Sequence, residues 1–352
     1  MNDTPERLLE CIQQPSLWSH LAHFQKISDE HKGSDGHGNR DAGTAGYKAS
    51  VDYVAGLMRQ AGYHVTIQQY QINASEVTRT PKFGLPDQSY ALTRDWLAAQ
   101  PFGQSVVDYN VIAESPFGDP NHVVVVDAHL DSIFGAGMLD NASGSTTILE
   151  IALNMAKTPT RNQLRYIWFG GEELGLIGSA YYTQHLSGAQ RKKIAFDIDM
   201  DVTATPNFDM WIADPAFALN VSQFPKNVVP QSKIGNQFFR DFFNSVGVVS
   251  QSSTFGNSGT DSNSFALIGI PDSGILTRQD CCKEQSEVAI WGGFLGNYEG
   301  TVPGNDGGCV DYPERWCDNL SNNDPFILEL ASKASAYVTL KMANHVFTPR
   351  HP

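Results

Sequence analysis

Three apolar runs in the chain each contain acidic side chains near their ends or are followed closely by them, and the first is also followed by a histidine. The runs span 123–127, 164–169 and 194–200. The polar residues are His129, Asp131 and Asp140 after the first run, Glu172 and Glu173 after the second, and Asp199 within the third. No Lys or Arg stands beside them in the sequence. Such a set is difficult to explain as ordinary surface charge.

Imidazole and carboxylates are together suited to a divalent metal ion, and to zinc in particular. Carboxylates gathered at one place repel one another unless a cation neutralises them. A bound ion lowers the pKa of its water to about 7, and a neighbouring carboxylate can then take a proton. Because Glu172 and Glu173 are adjacent, one can hold the metal while the other serves as general base.

The elements that position these residues are strands alternating with amphipathic helices. Predicted strands cover 64–72, 106–113, 122–127, 164–169 and 194–200; predicted helices cover about 1–30, 47–61, a segment from 143, 177–185, 234–246 and 325–345. Residues 78–104 have no clear period and indicate an irregular connection. This alternation predicts an α/β fold with a mostly parallel central sheet and helices on both faces. In such sheets ligands bind at the carboxyl ends of the strands. No shift in composition marks a boundary, so residues 1–352 are predicted to form a single catalytic domain.

Composition excludes several functions. The formal net charge of −14 disfavours nucleic acid and anionic membrane surfaces as partners. No run approaches the roughly 18 apolar residues of a membrane span.

No signal peptide is visible from Met1 to Leu9, which fits a cytoplasmic protein or one whose leader was removed. Of the five cysteines, Cys309 and Cys317 bracket a short loop and are the best candidates for a disulfide, which would indicate an oxidising compartment. Nothing in the sequence indicates the oligomeric state.

The motifs around these residues resemble the secreted bacterial leucine aminopeptidases that use two zinc ions. The shared motifs are His-x-Asp at 129–131, Asp-Asn-x-Ser-Gly at 140–144, Glu-Glu-x-Gly-Leu-x-Gly-Ser at 172–179 and Asp-Met at 199–200 before Pro-Asn. Segments at 40–44, 50–54, 109–112 and 265–271 agree as well. The resemblance extends from Leu21 to Ala343, and it implies a secreted or periplasmic location.

The resemblance assigns a role to each residue. His129 and Asp199 would hold one zinc, Glu173 would hold the other, and Asp140 would bridge the two. Glu172 would be the general base, and Asp131 would accept a hydrogen bond from His129 and fix its tautomer. The substrate would be a peptide or aminoacyl compound, with an apolar side chain in the pocket.

The sequence departs from this family at two places. Relatives carry a second histidine ligand in Cys-Tyr-His-x-x-Cys-Asp, whereas residues 309–318 contain no histidine and are three residues longer. The ligand position falls on Asp311 when the first cysteine is aligned and on Glu314 when the second is. The site near Glu173 is therefore expected to bind zinc weakly, to prefer a harder ion such as Mn²⁺ or Mg²⁺, or to stay empty. Gly259 stands where relatives have an arginine that helps to bind substrate, so the substrate preference is expected to differ.

Three functions remain open from the sequence. The first is a metal-dependent hydrolase of peptide or amide bonds, an aminopeptidase. The second is single-metal chemistry of the kind performed by glutaminyl cyclases, which share this fold. The third is a catalytically impaired metal-binding homologue.

Overall fold

A computed structural model describes residues 2–33, 36–73, 105–132, 135–253, 259–279, 283–296, 298 and 318–347. Several predictions fall outside these ranges: the ligand at Asp311 or Glu314, the Cys309–Cys317 disulfide and the irregular connection at 78–104. Cys281 and Cys282 also lie outside them, while Cys11 is exposed and free.

Within the described ranges, the chain forms an eight-stranded mixed sheet at its core. Its strands are β1 (His64–Asn73), β2 (Ser105–Glu114), β3 (Asp119–His129), β4 (Asn162–Phe169), β5 (Ile194–Met200), β6 (Trp211–Ala213), β7 (Gln251–Ser253) and β8 (Asp272–Leu276). They lie in the order β1-β2-β4-β3-β5-β8-β6-β7. The central strands β4, β3, β5 and β8 run parallel, whereas β2 pairs antiparallel with both β1 and β4. The mostly parallel sheet is thus confirmed, and the three strands β6–β8 are additions that sequence analysis did not predict.

Ten α-helices are found in the part of the chain that is described. They are α1 (Pro5–Cys11), α2 (Gln14–Glu30), α3 (Ala45–Ala61), α4 (Ser143–Met155), α5 (Ile177–Gln184), α6 (Gly188–Lys193), α7 (Val228–Ser245), α8 (Ser262–Leu267), α9 (Gln285–Trp291) and α10 (Pro325–Asn344). The predicted start of α10 is supported by its cap, because the Asp324 carboxylate accepts the backbone N–H groups of Phe326 and Ile327 at 2.9 and 3.0 Å.

Side-chain alternation along β3 shows why both faces of the sheet are covered. Val124 and Val126 pack into the larger core with residues of α2, α3, α4, α7 and α10. Val123 and Val125 enter a second core with Tyr182 of α5 and Phe265 of α8. A strand buried on both faces is typical of a parallel sheet between helix layers. None of the helices in the described ranges is long and apolar enough to cross a membrane.

Candidate metal centre

The carboxyl ends of the parallel strands meet at one edge of the sheet and bring the acidic residues together there. His129 is the last residue of β3. Strand β4 ends at Phe169, three residues before Glu172, and β5 ends at Met200, directly before Asp201. Because β3 lies between β4 and β5, the histidine lies at the centre of the group.

The imidazole Nε2 of His129 is surrounded by carboxylate oxygens. Asp140 Oδ1 is 3.0 Å away, Asp201 Oδ1 3.4 Å and Glu172 Oε2 3.8 Å. Two sets of three donor residues, which share His129, are each compact enough to hold a metal ion: His129 with Asp140 and Asp201, and His129 with Glu172 and Glu173. Two ligands of a tetrahedral zinc, each about 2.0–2.1 Å from the ion, lie about 3.3 Å apart. The distances from His129 to Asp140 and Asp201 therefore fit a zinc ion between them.

The structure brings Asp201, rather than the predicted Asp199, to this centre. Asp199 lies inside β5 and pairs in register with Asp127, so the position level with His129, two residues further, is that of Asp201. The Asp199 carboxylate instead accepts the Thr260 hydroxyl at 2.9 Å and the Ser262 N–H at 3.2 Å. Asp199 therefore supports the loop that precedes α8, and Asp201 is the acid in position to bind a metal.

Asp131 orients both the histidine and the glutamate pair. His129 Nδ1 lies 3.2 Å from the backbone oxygen of Asp131 and 3.5 Å from its carboxylate. The same carboxylate accepts the backbone N–H groups of Glu172 at 3.2 Å and Glu173 at 3.3 Å. A proton on Nδ1 leaves the Nε2 lone pair free for a metal. The Asp131 carboxylate thus lies close to the imidazole, and it also holds the turn that presents the glutamates.

Asn141 fixes the position of Asp140 relative to Asp201. Its side chain donates to the carbonyl of Met200 at 2.9 Å and accepts the N–H of Val202 at 3.1 Å, so it contacts the residues on both sides of Asp201. It also accepts the N–H of Gly144 at 2.8 Å. A Cβ at position 144 would lie 2.3 Å from both the Asn141 oxygen and the Met200 oxygen, which explains the glycine.

The electrostatics of the centre favour a cation. Burial alone lowers the pKa of His129, but the neighbouring carboxylates, with Glu172 contributing most, raise that pKa well above its ordinary value. Burial and then Asp201 raise the pKa of Asp199 to about 7. Burial followed by Glu172 and Asp199 also raises the pKa of Asp261. Protons are therefore retained where negative charge is in excess, and a divalent ion would relieve that excess.

Comparison with solved structures identifies the fold. A zinc aminopeptidase from Bacillus subtilis superposes with a TM-score of 0.64 at 17% identity, covering 95% of this chain and 96% of that one. A glutaminyl cyclase from Porphyromonas gingivalis gives 0.60 at 15% identity over 93% and 98%. At such low identity these likenesses establish the fold, which is that of the zinc aminopeptidases and glutaminyl cyclases.

Sequence comparison identifies the family. The profile of Peptidase family M28 matches residues 110–324. Leupeptin-inactivating enzyme 1 of Streptomyces exfoliatus is 30% identical over 330 residues, 93% of this chain and 61% of the relative. An aminopeptidase of Pseudomonas aeruginosa is 34% identical over 235 residues, 66% of this chain and 40% of the relative. The chain belongs to peptidase family M28, and it spans about 40–60% of the length of these relatives.

Proposed function

We propose that this chain is a zinc-dependent aminopeptidase that hydrolyses peptide bonds, with residues 1–352 acting as one catalytic domain. The observation that carries the proposal is the buried group in which His129 faces Asp140 and Asp201 within 3.4 Å, with Glu172 at 3.8 Å. Membership of family M28 and the aminopeptidase relatives support the same chemistry.

The donor set divides between two ions. His129 and Asp201 would hold the first, Glu173 would hold the second, and Asp140 would bridge them. Asp311 and Glu314 are the candidates for the ligand that replaces the missing histidine, with Mn²⁺ or Mg²⁺ as alternatives to zinc there. When bound, the metal supplies Lewis-acid chemistry, because it acidifies water and polarises the scissile carbonyl.

Glu172 is the general base in this proposal. Its backbone N–H is held by the Asp131 carboxylate, and its side chain lies beside the donor group in a position that is 1% exposed. The carboxylate takes a proton from the attacking water and transfers it to the leaving amine, a role worth about 10²–10⁴ in rate. Asp131 keeps both Glu172 and His129 in place during these transfers.

The substrate is proposed to be a peptide or aminoacyl compound, with the altered residue Gly259 changing the preference relative to other family members. A secreted or periplasmic location is supported by the resemblance and by the Cys309–Cys317 pair. A relative from Mycobacterium tuberculosis named as a probable lipoprotein aminopeptidase, 32% identical over 226 residues, also suggests function outside the cytoplasm.

A second candidate is glutaminyl cyclisation at a single metal ion. It is favoured by the fold shared with the Porphyromonas gingivalis enzyme and by the absence of a histidine from residues 309–318 of the sequence. Product mass separates the two reactions, because hydrolysis adds the elements of water to the products and cyclisation of a glutaminyl peptide releases ammonia.

The test is a screen of amino-acid anilides, dipeptides and glutaminyl peptides with added Zn²⁺, Mn²⁺ or Co²⁺, using mass spectrometry. Amino-blocked peptides serve as the control, since an aminopeptidase requires a free α-amine. Release of the first residue from free but not blocked peptides supports the proposal. A product lighter by ammonia would establish cyclisation instead. No turnover with any of the metals would indicate the metal-binding homologue.

A further inference from the structure

Residues 130–132 and 135–140 belong to the segment between the end of β3 and the Asp140 carboxylate, and Arg40 binds both of these parts. The Arg40 guanidinium is completely buried. Its Nη1 donates to the carbonyl of Leu130 at 2.8 Å, its Nε to that of Ala136 at 2.8 Å and its Nη2 to that of Gly137 at 2.9 Å. One side chain therefore joins Leu130, directly after β3, to Ala136 and Gly137, close to Asp140.

Asp318 holds the last residues of the same segment. Its carboxylate accepts the backbone N–H of Leu139 at 2.6 Å and that of Asp140 at 3.1 Å. Its own backbone carbonyl accepts the N–H of Met138 at 3.3 Å. Three consecutive N–H groups, ending at Asp140 itself, are thus fixed by a single residue.

The charges of these two residues are complementary. Burial lowers the pKa of Arg40 to about 10, while the charges of Asp318 and then Asp131 act to raise that pKa, so the guanidinium stays protonated at neutral pH. A buried arginine without partners would be strongly destabilising. The three hydrogen bonds that the Arg40 side chain donates to backbone carbonyls all go to the segment that carries Asp140.

We propose that Arg40 and Asp318 are positioning residues which set the metal affinity by fixing the backbone that presents Asp140. Neither side chain is a ligand. The inference rests on the proposed metal centre. Outer residues that orient metal ligands typically change metal affinity by about 10–100-fold when they are replaced.

The experiment measures zinc affinity by competition with a chromophoric chelator at pH 7, and the unfolding midpoint of the metal-free protein. The variants are Arg40→Met, Arg40→Lys, Asp318→Asn and the double variant Arg40→Met/Asp318→Asn. The matched control is Asn162→Ala, because Asn162 also donates from a buried side chain to two carbonyls, of Met342 and His345, but at the opposite end of β4 from the centre.

Zinc affinity is expected to fall about 10–100-fold in Arg40→Met and less in Arg40→Lys, which keeps the charge and part of the hydrogen bonding. Asn162→Ala is expected to lower the unfolding midpoint without changing zinc affinity. The double variant is expected to lose less than the product of the single losses, because both residues act on one segment.

The proposal is overturned if Arg40→Met folds and binds zinc as tightly as the wild type. If Arg40→Met does not fold, the proposal is overturned when Arg40→Lys and Asp318→Asn fold and bind zinc as tightly as the wild type. Failure of the wild-type protein to bind zinc would contradict the proposed metal centre itself. That result differs from one in which the wild type binds zinc and the variants bind it equally well, which would contradict only the roles of Arg40 and Asp318.

Discussion

Replacing Asp201 with Asn should weaken zinc binding far more than the same change at Asp199. Asp201 Oδ1 lies 3.4 Å from His129 Nε2, and an ion shared by these two atoms would lie between them. Asp199 is instead hydrogen-bonded to Thr260 and Ser262. Two unit charges about 4 Å apart interact by about 4 kcal/mol at an effective dielectric constant near 20. Replacing Asp201 by Asn removes one negative charge beside the ion, while the amide oxygen still coordinates weakly. We therefore take this value as the free energy of zinc binding that is lost. It corresponds to a roughly 1,000-fold loss of zinc affinity, at about 1.4 kcal/mol per tenfold.

At Asp199 the expected loss is below about tenfold. The pKa of this carboxyl is raised to about 7, so the acid is already partly neutral at pH 7, and an Asn oxygen can still accept both hydrogen bonds. Zinc affinity of both variants is measured by chelator competition at pH 7, with the circular dichroism spectrum as the control for folding. Equal losses in the two variants, or a larger loss at Asp199, would refute the assignment.

Three further predictions concern catalysis, the second ion and stability. Glu172→Gln should lower kcat by about 10²–10⁴ while zinc affinity changes little; activity near that of the wild type would remove its role as base. Combined replacement of Asp311 and Glu314 by Ala should abolish a second, weaker metal equivalent in calorimetric titration and leave the first; an unchanged stoichiometry would place the ligand elsewhere. Burial raises the pKa of Asp197 far above its usual range. The folded metal-free protein therefore keeps a proton on Asp197 that the unfolded chain loses above about pH 4, and its stability falls as pH rises. Asp197→Asn should therefore raise the unfolding midpoint of the metal-free protein more at pH 8 than at pH 5, whereas the exposed control Asp241→Asn should give no such trend; a pH-independent difference would contradict this.

The central part of the fold could be predicted because it depends on local signals. The run from Ile194 to Met200 is apolar at alternate positions, and its bounds were predicted as the structure has them. Pro325 behind Asp324 marked the start of α10 in the same way. Strands β6 and β7 have three residues each, too few for a period to be recognised, and they depend on pairing with β8 and with each other.

His129 and the glutamate pair could be singled out from the sequence, because His129 ends one buried strand and the glutamates come shortly after another. Asp201 could not be separated from Asp199 by spacing. Asp197 and Asp199 lie in β5 and Asp201 directly follows it, so all three are spaced at alternate positions, and only the register with β3 shows which of them is level with His129. The pairing of Asp127 with Asp199 is a tertiary contact that a single sequence does not display.

The roles of Arg40 and Asp318 were equally hidden from the sequence. Arg40 is about 90 residues before the carbonyls that it binds, and Asp318 is about 180 residues after the N–H groups that it accepts. Neither has a local pattern that predicts such partners. A buried arginine becomes recognisable as a support only when its three carbonyl partners are known.

The most direct measurement is an anomalous difference map at the zinc absorption edge from crystals grown with excess zinc. We predict a peak bonded at about 2.0–2.2 Å to His129 Nε2 and to carboxylate oxygens of Asp140 and Asp201. A map with no zinc at this sheet edge, and His129 simply hydrogen-bonded to Asp140, would contradict the metal centre and the function built on it.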